Sequence, residues 1–203
     1  MTAPSPTLLT IGHTTHSFDA FVGLLARHGV SCVADVRSHP YSRRLEQFNR
    51  ESLAAELKTA GIKYIFLGEE LGARRAEAEC YEDGQAVYRR IATLPRFLAG
   101  LERLRQGASQ ERIALVCAEK DPLDCHRTIL VCRELRGEFQ IEHILADGSI
   151  EEHAAAEKRL VRQMDICRTL FEPDLSDEQL VQQAYDKRAA QIAYRASEEE
   201  VPQ

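Results

Sequence analysis

The sequence alternates between short apolar runs and longer stretches with helical periodicity, and this alternation most constrains the fold. Nearly every apolar run is followed by an amphipathic stretch and then by another apolar run. A strand–helix–strand order is typical of a parallel β-sheet that is covered by helices on both faces. We therefore predict an α/β fold, Rossmann-like or flavodoxin-like, with a mostly parallel five-stranded sheet and additional C-terminal helices. The predicted strands are Thr7–Ile11, Val30–Val36, Ile62–Leu67, Ile113–Cys117 and Ile141–Leu145.

The helices predicted between these strands have recognisable ends. Ser17 can cap a first helix that stops near Gly29, and Asn49 can cap a second helix that ends at Gly61. Right-handed crossovers are expected to place alternate helices on the two faces of the sheet. Helical spacing predicts two later helices, Tyr88–Arg105, broken or kinked at Pro95, and Asp124–Arg136.

The pattern changes after residue 150. Glu151–Leu170 is a charged, Ala-rich segment that predicts a helix, and Asp177–Arg195 predicts another. The acidic segment Ser197–Gln203 is expected to fray. We therefore divide the chain into an α/β domain over residues 1–150 and a helical extension of the same domain over residues 151–203, which would pack on the sheet or on a partner subunit.

The composition is that of a globular protein. The 203 residues are 44% hydrophobic and 29% charged, which argues against wholesale disorder. A formal net charge of −6 excludes a generally basic protein that coats nucleic acid, but it leaves room for a local basic site. No apolar run approaches the ~20 residues of a membrane-spanning helix, and Met1–Leu9 lacks the features of a signal peptide. We therefore expect a cytoplasmic protein with reduced cysteines and no contact with a membrane.

Candidate functional residues are concentrated in the loops that follow the predicted strands. In an open parallel sheet, ligands bind outside the carboxyl ends of the strands. After the first strand, Gly12, His13 and Ser17 lead into the amino terminus of a helix, where free amides and hydroxyls suit an anion. The alternative interpretation is a simple turn in which Ser17 caps the helix.

The loop after the second strand is rich in arginine. It contains Arg37, Ser42, Arg43 and a further arginine, and no acidic residue follows Arg37 before Glu46. Guanidinium groups bind phosphate or carboxylate through two parallel hydrogen bonds. These residues are therefore candidates for anion binding. The alternative is a solvated basic loop that pairs with acidic residues of the same protein.

The segment after the fourth strand carries the most reactive set of side chains. These are Cys117, Glu119, Cys125, His126 and Arg127. If Asp124 caps the next helix, Cys125 lies in the first helical turn, where the helix dipole and Arg127 lower the pKa of a thiol. Cys125 or Cys117 would then be a nucleophile and His126 its proton carrier. Glu119 is a further catalytic candidate, and Arg127 would bind the anion.

Three interpretations of Cys117 and Cys125 are open. They could be a nucleophile and its neighbour, two metal ligands joined by His126 or an acid, or two small buried apolar side chains. The spacing differs from the Cys-x-x-Cys pair of structural zinc sites, so no metal ligand or cofactor is assigned, although a bound metal stays open. Cys125 is expected to be the most reactive thiol, and Cys80 is expected in an exposed loop. The cysteines assigned to the core are Cys32, Cys132 and Cys167.

Several short motifs follow one another roughly between residues 8 and 146. They are Ile11-Gly12-His13 with Ser17, Asp35-Val36-Arg37 with Pro40 and Ser42-Arg43, Leu67-Gly68 with Leu71-Gly72, Cys117-Ala118-Glu119, Cys125-His126-Arg127, and His143-Ile144. In this combination they resemble the family named domain of unknown function 488. The resemblance implies an α/β fold and a shared site that is built from these loops. It implies no particular reaction, because the family carries no assigned function.

The residues support three functional hypotheses. The first is an enzyme, a cysteine-dependent transferase or hydrolase, that acts on an anionic substrate such as a phosphorylated small molecule, a nucleotide or a nucleic-acid component. The second is a module that binds such a ligand without turnover. The third is a metal-dependent site that uses Cys117, Cys125 and His126. A homodimer is also an open expectation. In each case one concavity should be bordered by Gly12, Arg37, Arg43, Cys117 and Arg127.

Overall fold

A β-sheet with six strands forms the centre of the part of the chain that the structure describes. The structure is a computed structural model, and it describes residues 5–13, 16–170 and 173–196. In chain order the strands are β1 (Thr7–Gly12), β2 (Cys32–Asp35), β3 (Lys63–Phe66), β4 (Tyr81–Glu82), β5 (Gln85–Ala86), β6 (Ile113–Cys117), β7 (Gln140–Ile144) and β8 (Ile150–Glu152). The sheet order is β3-β2-β6-β1-β7-β8, and β4 and β5 form a separate two-stranded ribbon.

Helices cover both faces of this sheet. In chain order they are α1 (Phe18–Arg27), α2 (Arg50–Thr59), α3 (Gly68–Leu71), α4 (Tyr88–Ile91), α5 (Pro95–Ala108), α6 (the π-helical segment Arg127–Cys132 with its continuation Arg133–Leu135), α7 (His153–Gln163) and α8 (Asp177–Ile192). Among the described residues, none of these helices has the length and apolar character that a membrane crossing requires.

The predicted α/β fold is confirmed, and the five predicted strands pair with one another in parallel. The predicted number of strands is wrong, because β8 adds a sixth strand that runs antiparallel to β7. Gly148 adopts a φ of +83° in the turn between them. β8 contains one apolar residue, Ile150, so its sequence lacks a strand pattern and predicts the beginning of a helix instead.

The helices are grouped by the direction in which the chain crosses the sheet. The chain moves from β1 through β2 to the edge strand β3, so right-handed crossovers place α1 and α2 on the same face. It then returns through β6 to β7, and α5 and α6 cover the other face. The core is divided accordingly, because Phe21 and Leu53 pack in one hydrophobic cluster and Leu101 and Leu130 pack in a second. The expected alternation of helices is therefore wrong for the first two helices.

The C-terminal helices pack on the second face of the sheet. Leu160 of α7 and Tyr185 of α8 are fully buried and belong to the same hydrophobic cluster as Leu115 of β6. α7 is shorter than predicted, since Glu151 belongs to β8. The predicted fraying of Ser197–Gln203 concerns a segment outside the described residues.

Three local predictions are corrected by the structure. The predicted helix Tyr88–Arg105 is two helices, because Pro95 begins α5 instead of kinking a continuous helix. Cys80 is fully buried, since the 3-10 turn that contains it packs its side chain into the core. Cys167 is exposed, because α7 ends before it and a loop follows. Cys32 and Cys132 are buried as predicted.

Candidate active site

The carboxyl ends of β1, β2 and β6 lie side by side at one edge of the sheet. β6 pairs with both other strands, so that Gly12 lies opposite Cys117 and Asp35 lies opposite Val116. β1 and β2 continue toward helices on one face, whereas β6 continues toward α6 on the other. Neighbouring strands whose connections leave toward opposite faces open a crevice, and ligands of open α/β sheets bind there. The candidate active site lies at this point.

A cavity of about 280 Å³ opens at the end of β6. Its walls come from the loop after β2, the loop after α3, the beginning of α4, the segment after β6 and the end of α8. The cavity is bordered by Arg37, Ser38, His39, Ala73, Arg74, Tyr88, Cys117, Ala118, Glu119, Asp124, His126, Ile192 and Tyr194.

Two thiols and one imidazole form a compact cluster at this cavity. The Nδ1 atom of His126 lies 3.6 Å from Sγ of Cys117 and 3.9 Å from Sγ of Cys125. All three atoms lie within 4.8 Å of one another. The other ring nitrogen, Nε2, lies 2.8 Å from the carbonyl oxygen of Val36. Since a carbonyl oxygen only accepts, Nε2 carries a proton, and the neutral ring directs the lone pair of Nδ1 toward the thiols.

Cys125 precedes α6 instead of lying in its first turn. Its backbone is extended, with φ −134° and ψ 142°, because the residues before it form a separate 3-10 turn, Pro122–Asp124. Asp121, not Asp124, caps that turn by accepting a 2.9 Å hydrogen bond from the Leu123 amide. The Sγ atom of Cys125 accepts a hydrogen bond of 3.4 Å from the amide of Arg127. The thiol therefore still lies in the positive electrostatic potential at the amino terminus of α6.

Two acids close to Cys125 in the sequence, whose negative charges would oppose a thiolate there, are paired with arginines. Asp121 accepts hydrogen bonds of 2.8 and 3.0 Å from Arg159, and Asp124 forms an ion pair with Arg188. The two arginines therefore offset the effect of these negative charges on the Cys125 thiol. This removes the main electrostatic objection to an ionised cysteine at this position.

Arg127 is a fully buried cation beside the thiols. Its guanidinium donates a 2.7 Å hydrogen bond to the carbonyl oxygen of Glu119 and a 3.4 Å hydrogen bond to the hydroxyl of Thr10. No ion pair within the described residues joins it to a carboxylate. A buried charge without a counter-charge is costly, and a negative charge on the Cys125 thiol would interact favourably with it.

The two thiols differ in acidity. Burial would raise the pKa of the Cys125 thiol, but its contact with Cys117 and the positive charge of Arg127 lower it well below the ordinary value. Burial and the adjacent Cys125 raise the pKa of Cys117. Burial lowers the pKa of His126, but the charge on Cys125 offsets this and raises it. Of the two thiols, Cys125 is therefore the more acidic.

The comparison with protein families identifies the group to which this site belongs. The family model described as "Domain of unknown function DUF488" matches residues 17–133, more than half of the chain. The chain belongs to this family. The matched range of this DUF488 protein contains the cysteine–histidine cluster, whereas the cavity wall from Ile192 and Tyr194 lies outside it. No curated protein and no solved structure matches the chain.

Arg37 borders the cavity of the DUF488 protein, but its guanidinium is engaged within the protein. Nε and Nη2 donate hydrogen bonds of 2.8 and 2.6 Å to the carboxylate of Asp35. Nη2 also lies 2.9 Å from the carbonyl oxygen of Phe48, and Nη1 lies 3.1 Å from Nε2 of His13. Few of the guanidinium N–H groups of Arg37 are therefore available to a ligand. Their hydrogen bonds instead hold the loop after β2 in place.

Gly12 and His13 support the cavity from behind. A Cβ atom at Gly12 would lie 1.9 Å from the carbonyl oxygen of Glu119, so only glycine permits this approach. The His13 ring stacks on Phe48 at 4.4 Å and is 3% exposed. Burial and the charge of Arg37 lower the pKa of His13 to about 4, so the ring is neutral at physiological pH.

The remaining predicted anion ligands lie away from the cavity. Ser17 caps α1 by accepting a hydrogen bond of 3.3 Å from the Ala20 amide. The hydroxyl of Ser42 accepts bonds from two amides of its own loop, and Arg43 is exposed outside the cavity. Of the five residues expected around one concavity, Arg37 and Cys117 border it, Gly12 and Arg127 lie behind its wall, and Arg43 lies outside.

Arg74, Tyr88 and Tyr194 are among the cavity residues that the sequence analysis did not nominate. Arg74 lies in the long polar connection after β3, Tyr88 begins α4, and Tyr194 follows α8. No motif distinguishes them from ordinary surface or core residues. Only the fold brings them to the cysteine–histidine cluster, because they are separated from it by tens of residues in the sequence.

Proposed function

We propose that this DUF488 protein is a metal-dependent enzyme in which Cys117, Cys125 and His126 bind one zinc ion at the cavity. The observation that carries the proposal is the mutual approach of their three ligand atoms to within 4.8 Å. Zinc–sulfur bonds of about 2.3 Å and zinc–nitrogen bonds of about 2.0–2.1 Å in a tetrahedron separate neighbouring ligand atoms by roughly 3.6–3.8 Å. The distances of 3.6 and 3.9 Å from Nδ1 to the two sulfurs fit such a centre.

The chemistry of the donor set supports the same ion. Thiolate and imidazole ligands favour zinc over magnesium or calcium. Metal-bound histidines usually donate their second ring N–H to a carbonyl or carboxylate, which is the role that Val36 takes toward His126. Arg127 favours ionisation of Cys125, and a thiolate is the form that binds metal. With both thiolates bound, the charges of zinc, the two cysteines, Glu119 and Arg127 cancel.

Three protein ligands leave a fourth position, which is typical of catalytic rather than structural zinc. Cys117 and His126 border the cavity, so this position faces it. A zinc ion held by these three residues would supply a nucleophile by making a water molecule more acidic. Glu119 borders the same cavity, and burial together with Cys125 raises the pKa of its carboxyl group. Glu119 can then accept the proton of the attacking water and return it to the leaving group, which completes a hydrolysis.

A second candidate function is cysteine chemistry without a metal. The observation in its favour is the buried Arg127, which stabilises a thiolate whether or not zinc is present. In that reaction Cys117 is the nucleophile that reaches the cavity, because Cys125 does not border it. Nδ1 of His126, 3.6 Å from the Cys117 sulfur, would accept the proton of that thiol. A covalent adduct would form on the Cys117 sulfur, and the leaving group would depart with the proton from His126.

Metal analysis distinguishes these candidates. Protein purified without added metal, and protein reconstituted with Zn²⁺ or Co²⁺, should contain about one ion per chain by mass spectrometry. Bound Co²⁺ should give a thiolate charge-transfer absorption band. C125A and H126Q should lose the ion, whereas C132A, which removes a buried thiol outside the cluster, should retain it. Wild-type protein that binds neither ion under reducing conditions would refute the metal proposal and leave the thiolate candidate.

A further inference from the structure

We infer that Arg74 is the anion-binding residue of this cavity and that the substrate is a small molecule with a terminal carboxylate or phosphate. This inference rests on the proposed function, because it names the substrate class of the same site. Arg74 is an exposed residue at the cavity wall. Its guanidinium lies 4.4 Å from the centre of the Tyr194 ring, and its amide donates a 3.0 Å hydrogen bond to Ser38.

The charge of Arg74 has no carboxylate partner among the described residues. The other arginine of the cavity wall, Arg37, is paired with Asp35, and the cavity carboxylate of Asp124 is paired with Arg188. Stacking on an aromatic ring holds a guanidinium in place and leaves its N–H edge available for a planar, two-point contact. Arg74 is therefore the preorganised cation of this cavity.

Tyr88 offers a ligand a second polar contact. Its side chain is 4% exposed and borders the cavity. Its hydroxyl makes no hydrogen bond to any described residue and is not one of the fully buried polar atoms, so it is open to the cavity. A ligand with an acceptor atom between the cysteine–histidine cluster and Arg74 would satisfy it. We assign to Tyr88 a hydrogen bond to the substrate.

The size and composition of the cavity limit the substrate further. A volume of about 280 Å³ is small for a ligand site and suits a small molecule. Glu119 faces the same space and disfavours a second negative charge near the cluster. The substrate therefore carries its anionic group at one end, beside Arg74, and an uncharged hydrolysable group at the other.

Tyr194 lies beyond the range matched by the family model. The anion subsite is therefore built partly by α8 and the residues after it, whereas the proposed metal ligands lie within the matched range. Proteins that share the cluster but not this C-terminal part should differ in the anion that they bind.

Calorimetric titration with inorganic phosphate and with succinate tests the subsite and distinguishes the two anionic groups. We expect one of the two probes to bind wild-type protein and its affinity to fall at least tenfold in R74Q. R43Q removes an exposed arginine outside the cavity, and its affinity should differ from that of wild-type protein by less than twofold. Y88F should lower the affinity for a larger ligand, phenyl phosphate or benzyl succinate, at least threefold. Equal affinities in wild-type protein and R74Q, or no binding of either probe, would overturn the inference.

Measurements on metal-free protein keep this inference separate from the proposed function. Each titration is repeated after chelation, with zinc content measured on the same sample. Binding that depends on Arg74 in metal-free protein supports the subsite even if the chain proves to hold no zinc. Binding that disappears with the metal and is unaffected by R74Q would place the anion on the ion itself and overturn the role of Arg74.

Discussion

The carbonyl oxygen of Val36 lies 2.8 Å from Nε2 of His126, although the two residues belong to different layers of the fold. The contact joins the end of β2 to the beginning of α6. Because it fixes the proton on Nε2, it determines that Nδ1 is the nitrogen available to Cys117 and Cys125. A backbone group thus selects the tautomer that a metal or a proton transfer requires.

The tautomer of His126 is directly measurable. In metal-free protein at pH 9, nitrogen NMR should show this ring protonated at Nε2 and unprotonated at Nδ1. Addition of zinc should shift the Nδ1 resonance and leave the Nε2 proton in place. A ring protonated at Nδ1 would contradict the contact with Val36 and, with it, the proposed ligand geometry.

Gly12 should be intolerant of any side chain. Because a Cβ atom would lie 1.9 Å from a backbone oxygen, G12A should destabilise the protein by about 1–3 kcal/mol. Gly23 in α1 is the matched control, since a Cβ atom there meets nothing within 4 Å. G23A should stabilise the helix by about 0.5–1 kcal/mol. Chemical denaturation measures both, and a neutral G12A would show that the Glu119 loop moves freely away from β1.

The Asp35–Arg37 ion pair should be essential for stability. Asp35 is fully buried and Arg37 is 8% exposed, so D35N leaves a buried guanidinium without its counter-charge. We expect a loss of about 3–5 kcal/mol in the free energy of unfolding. K63A, which breaks the exposed pair between Lys63 and Glu111, should change it by less than about 1 kcal/mol. A small effect of D35N would mean that Arg37 does not depend on Asp35 and is available to bind an anion.

A buried chain of hydrogen bonds links β1 to α7 and α8. Nδ1 of His143 lies 2.8 Å from the Thr10 hydroxyl, and Nε2 lies 3.0 Å from Nδ1 of His153. Nε2 of His153 lies 3.0 Å from the hydroxyl of Tyr185, which donates to Glu157 at 3.0 Å. Since that hydroxyl donates to the carboxylate, it accepts from His153, and both histidines are neutral with the proton on Nε2. His143 is therefore a buried core residue whose two ring nitrogens are both hydrogen-bonded.

Acid should destabilise the protein through this chain. Burial and the charge of Arg136 lower the pKa of His153 to about 4, whereas the unfolded chain has the ordinary value of 6.5. Between these values only the unfolded state binds the proton, so stability falls as the pH decreases from 6.5 toward 4. The contribution of His153 reaches about 3 kcal/mol at the acid end. H153Q should reduce the slope of stability against pH in this window. Equal slopes in wild-type protein and H153Q would contradict the depressed pKa.

The α/β class could be predicted because burial patterns are local. The apolar runs of β1 and β6 are buried along most of their length, and a buried strand must be apolar on both faces. β8 escaped prediction because an antiparallel edge strand with one apolar residue has no such pattern. The reactive residues could be nominated for the same local reason, since Cys117 and His126 follow a predicted strand and ligands bind at strand ends.

The sequence by itself determined the fold class, the approximate positions of most helices and the reactive residue types, because these depend on neighbours within a few positions. Only the tertiary structure decided which groups act together. Arg37 was the expected anion ligand, but the direction of its side chain at the end of β2 ties it to Asp35. Arg74 meets Tyr194 across more than 100 residues of sequence, and no local pattern encodes that contact. Charge pairing in a folded protein depends on distance in space, and the order of residues does not specify that distance until the chain has folded.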